Sequence, residues 1–146
     1  MHMDRIATAR ARIEQASDLA GVLGAAYDAF EDMLAVVRYH QERDMGAFPA
    51  FVLAAAAAGN GRDWIAAAPS LPPAAATAEP GSTDDLLAQL SVEQVAVALA
   101  GISQALATRL TASAAGPAGA GDRDSCAQAA RHATRIRSLL AGARQP

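Results

Sequence analysis

Asp28, Glu31 and Asp32 lie three and four residues apart, and on a helix that spacing puts three carboxylates on one face. Such a face could hold a hard cation or half of a di-metal site. A ferritin-like di-metal site also needs Glu-x-x-His motifs on two helices, and the chain contains none. Glu31 and His40 are nine residues apart, on roughly the same side of a helix but separated by more than two turns. The expectation is a solvated acidic face, with no metal and no cofactor assigned.

His40 sits one turn beyond Val37, and Asp44 follows one turn later, so a base oriented by a carboxylate is conceivable. No nucleophile accompanies them, and the expected role of His40 is to cap the polar end of the core or line an interface. Cys126 and His132 are six residues apart, about 600° around a helix, which leaves them about 120° apart and unable to pair within it. Cys126 falls on an apolar seam, where a small buried hydrophobe is the usual role. Its place in a first turn is the one feature favouring a reactive thiol. The segment Gly-Pro-Ala-Gly-Ala-Gly-Asp (116–122) follows a helix, lacks the Gly-Lys-Ser/Thr ending of a phosphate loop and does not match G-x-G-x-x-G, so it reads as a flexible connector. Arg131, Arg135, Arg137 and Arg144 make the last helix basic, able to meet phosphate or the acidic face around Asp28.

The bulk properties weigh against several functions. All twelve cations are arginine, so lysine-based catalysis is excluded. Residues 1–70 carry six arginines against nine acids and residues 71–146 six against six, without the basic excess of a nucleic-acid binder. One cysteine forms no internal disulfide, and no charged segment followed by an apolar stretch opens the chain. Residues 47–58 are free of charge and broken only by Pro49, a dozen positions where a membrane span needs about twenty. The expectation is a cytoplasmic protein from a GC-rich bacterial genome.

Forty of the 146 residues are alanine, while Leu, Ile, Val and Phe together make 28. Alanine is the best helix former and offers its apolar area in small pieces. Helices packed closely on thin side chains follow, and self-association to bury more surface is the natural complement.

Ile6, Ala9, Ile13 and Ala16 outline a short helix. Ser17-Asp18 offers caps for the next one, predicted over about 18–43, whose stripe runs Leu19, Val22, Leu23, Ala26, Phe30, Met33, Leu34 and Val37. Pro49 suits the first turn of a third helix, and Gly59-Asn60-Gly61 reads as its stop, with a further turn or two around Trp64. Residues 69–82 read as a linker with four prolines. A short helix is predicted after Ser82 around Leu86, Leu87 and Leu90. The Ser91/Gln94 pair then reads as a capping box opening a helix to about 113. Asp122 or Asp124 is the expected cap of the last helix, whose seam is Cys126, Ala129, Ala133, Ile136 and Leu140.

No run alternates with period two, so the expected fold is all-α: an up-down bundle of four main helices plus one or two short ones, with a Pro/Ala-rich linker joining residues 1–68 to 83–146. The function read from these features is a non-enzymatic protein-interaction or self-associating module, a homodimer or the docking partner of another protein. The alternative is a binder of a small apolar ligand between the helices. Phe30, Met33, Phe48, Phe51 and Trp64 are the candidate ligand or interface residues. Trp64 is expected as a lid over the bundle end rather than a subunit anchor.

Overall fold

A computed structural model describes residues 4–43, 49–72 and 91–143. The described chain is all-α: α1 (Asp4–Gln15), α2 (Leu19–Arg43), α3 (Pro49–Ala66), α4 (Val92–Ala115) and α5 (Ala120–Ala143). The short helix expected around Leu86, Leu87 and Leu90, most of the 69–82 linker, and Asp44, Phe48 and Arg144 lie outside the described residues.

Three of the starts follow the local chemistry of the sequence. Asp18 Oδ1 accepts the Gly21 N–H at 2.8 Å, as an N-cap should. Pro49 opens α3, where its missing N–H costs nothing. Ser91 and Gln94 form the reciprocal capping box: the Ser91 hydroxyl accepts the Gln94 N–H at 3.1 Å, and the Gln94 side chain accepts the Ser91 N–H at 2.8 Å.

Two boundaries differ from expectation. Gly59-Asn60-Gly61 does not stop α3, which runs on through Trp64 to Ala66. A Cβ at Gly61 would come within 2.5 Å of the Phe30 ring, so this glycine serves close approach between helices rather than a turn. The last helix begins at Ala120, ahead of both expected caps, with the Gly119 carbonyl accepting the Arg123 N–H at 2.9 Å. Asp122 accepts instead from Ser70, its N–H at 3.0 Å and its hydroxyl at 2.6 Å. It thereby clasps the segment leaving α3 onto the first turn of α5.

The helices α2, α3, α5 and α4 form a ring in which each packs against the next, and α1 covers the seam between α2 and α4. Ring neighbours run antiparallel. Ser70 past the end of α3 meets Asp122 at the start of α5, Met33 meets Ser103 midway along α2 and α4, and the start of α2 lies beside the end of α4. Consequently α3 and α4 point the same way.

All five helices feed one core. Its large side chains are Ile13, Leu23, Phe30, Met33, Phe51, Ile65, Leu99, Ile102, Leu106, Leu110, Ile136 and Leu140, with alanines filling between them. By length and composition, Glu93–Ala115 is the one described helix that is long and apolar enough to cross a membrane. In the bundle its stripe of Val95, Leu99, Ile102, Leu106 and Leu110 is buried.

Candidate functional site

The acidic face of α2 is an inter-helix seam rather than a solvated surface. Asp28 accepts from Arg12 of α1 at 2.8 Å, and Glu31 from Arg62 of α3 at 3.3 Å; Arg62 also reaches Asp63 at 3.2 Å. Asp28, Glu31 and Asp32 are all half-buried. The seam exists because α1 and α3 flank α2 and each brings an arginine to it. Burial and the neighbouring Glu31 raise the Tyr27 phenol above its ordinary value on the same edge. Among the described residues no three His, Cys, Asp or Glu side chains gather where a metal ion could be held. The basic stripe of α5 does not meet this face, since α5 stands diagonally across the ring from α2, and Arg131, Arg135 and Arg137 are exposed.

The candidate apolar residues divide between two places. Phe30, Met33 and Phe51 are fully buried core, with the Phe30 ring laid on Gly61 and the Met33 sulfur 3.4 Å from the Ser103 hydroxyl. Trp64, in the last turn of α3, is half-buried on the flank of the bundle. It lines an open groove with Asn60, Asp63 and His132, so it forms a side wall between α3 and α5. Burial first, then the positive charge of Arg135, lowers the His132 imidazole below its ordinary value.

His40 is buried, 8% exposed, near the end of α2, with its ring edge-on to Tyr39 at 5.2 Å. Cys126 is also buried, and burial together with the Asp122 charge pushes its thiol up to about 11. Because α5 begins at Ala120, Cys126 is its seventh residue and stands in the second turn, so the expected first-turn position favouring a thiolate is not realised and desolvation governs the thiol.

The spacing of Phe48, Phe51, Val52, Ala55 and Ala58 predicts that Val52 belongs to the buried face of α3, but Val52 lies on the outer face instead. Val52 and Leu53 are 51% and 45% exposed, and Pro49 and Ala56 are exposed beside them. The whole segment 49–61 contains no charged residue, so this helix presents apolar surface outward as well as inward. The signal was present as the charge-free run, which reads equally well as a helix buried on all sides.

Clefts on the described surface are open. One, of about 380 Å³, lies between α4 and α5 over Thr111, Ala114, Ala130 and Arg131. Another, of about 390 Å³, lies at the end of the bundle where α1 turns into α2 and α4 into α5. No family model, no curated protein and no solved structure matches the chain.

Proposed function

We propose that the chain is a non-enzymatic helical bundle that acts by protein–protein association, with a second copy of itself as the simplest partner. The observation that carries this reading is the exposed, charge-free outer face of α3 around Val52, Leu53 and Ala56. A two-fold interface sets a patch against itself, so like charges would be opposed in it. A face without charge avoids that penalty, and its alanines allow close approach of two helices. The groups with catalytic potential support the same reading: His40 and Cys126 are buried, and Asp28 and Glu31 are matched by arginines. The alternative, an apolar ligand between the helices, needs open space around Phe30, Met33 and Phe51. Their burial against Gly61 and the alanine-lined interior speaks for filled space there.

Native mass spectrometry, with a denatured control, tests the reading. A dimer mass is expected, reverting to monomer in Leu53→Glu, whose side chain is exposed and whose fold should be unaffected. A wild-type monomer at high micromolar concentration would remove self-association. Extra mass lost on denaturation would favour the ligand reading.

A further inference from the structure

The end-of-bundle cleft holds two charges that do not pair with each other. Arg109 of α4 donates to the Ala16 carbonyl at the end of α1. Among the described residues its guanidinium has no carboxylate partner, and its Nε is buried without a hydrogen-bond partner. Asp18, at the start of α2, spends Oδ1 on the Gly21 N–H and has no cationic partner there either. Asp18, which is exposed, and Arg109, which is half-buried, both line the same cleft, along with Ser113 and with Leu19, Val22 and Pro117 as apolar lining. Among the described residues each charge has only a neutral backbone group as partner.

The signs of these charges restrict the occupant. A simple cation would face Arg109 and a simple anion would face Asp18, each a like-charge contact. A molecule carrying both charges a few bonds apart answers both, and a short aliphatic tail would cover the apolar wall. A volume of about 390 Å³ admits such a molecule with room for water.

We propose that this cleft binds a free aliphatic α-amino acid. The carboxylate takes a charge-assisted hydrogen bond from a terminal N–H of the Arg109 guanidinium. The ammonium donates to the second oxygen of Asp18, and the side chain lies on Leu19, Val22 and Pro117. The proposal is independent of the association surface on α3, which lies on a different part of the bundle.

The test is an NMR titration of the intact chain with L-leucine, 4-methylpentanoate, which lacks the ammonium, and 3-methylbutylamine, which lacks the carboxylate. Leucine should give saturable shifts at the amides of Val22, Ser113 and Gly116. Each truncated analogue should bind at least about tenfold more weakly, the scale of one lost charge-assisted hydrogen bond. Asp18→Asn keeps an oxygen to cap Gly21 while removing the charge. It should weaken leucine about tenfold and leave 4-methylpentanoate no weaker than before. Absence of saturable shifts up to the solubility limit of leucine overturns the proposal. Equal binding of leucine and either analogue, or leucine binding unchanged in Asp18→Asn, overturns it as well.

Discussion

Cys126 and the glycines of α3 have their behaviour set by what surrounds them rather than by their own type. Cys126 stands in the second turn of α5, beyond the helix end where a thiol is acidified, and burial with the Asp122 charge pushes its thiol up to about 11. It should resist a thiol reagent at pH 8 in the native protein and react promptly in urea, measured as the rate of labelling. The raised value also has a stability consequence. The thiol of the unfolded chain ionises near 9.0 while the folded one stays protonated to about 11. This contribution is therefore complete below pH 9.0 and lost as the pH rises toward 11, whereas Cys126→Ala should not show that loss. The glycines of α3 give a second contrast. Gly59 has open space where a Cβ would stand, so Gly59→Ala should stabilise by up to about 1 kcal/mol through helix propensity. Gly61→Ala sets a methyl into the Phe30 ring, and should cost about 1–3 kcal/mol through overpacking. Urea unfolding midpoints moving in opposite directions would bear this out. Both glycines look alike in the sequence, and only the neighbour across the helix interface separates them.

Elements were legible where their signals are local. Capping boxes, N-terminal proline and apolar stripes act within a few residues, so α2, the start of α3, and α4 lie where the sequence puts them. The Ser91 cap is the clearest case, and Ser91→Ala should lower stability by about 1 kcal/mol in urea titrations. Signals failed where a residue has a choice of partners. Gly-Asn-Gly is a good stop in isolation, but packing of Gly61 on Phe30 recovers more than the turn offers, so the helix continues. Asp122 is a good cap in isolation, but the Ser70 N–H and hydroxyl claim its two oxygens. The acidic triplet on α2 was visible as a pattern, and its arginine partners were not, because Arg12 and Arg62 are 16 and 31 residues away from the carboxylates they meet.

At the scale of the whole molecule, the division of the chain into an N-terminal helical group and a C-terminal one does not extend to the core. The ring order places α3 against α5 and α2 against α4, so each half of the chain packs on the other. The Ser70–Asp122 clasp ties the halves again at one end. Unfolding should therefore be a single transition: Trp64 fluorescence, which reports on α3 and α5, and far-UV circular dichroism should coincide in urea. Two separated transitions would show that the halves are independent units. The helical class, most helix boundaries and the apolar face of every helix except α3 were legible in the sequence, because those follow from propensity, capping and a 3.6-residue period acting over a turn or two. Phe30 and Met33, as members of the predicted α2 stripe, belong to that legible part. Tertiary structure alone decided the ring order, the arginine partners of Asp28 and Glu31, the flank position of Trp64, the outward exposure of Val52 and Leu53, and the meeting of Asp18 with Arg109 in one cleft. Each of these depends on which alanine-lined faces come together, and faces built from so many identical small side chains carry little information in the sequence about their partners.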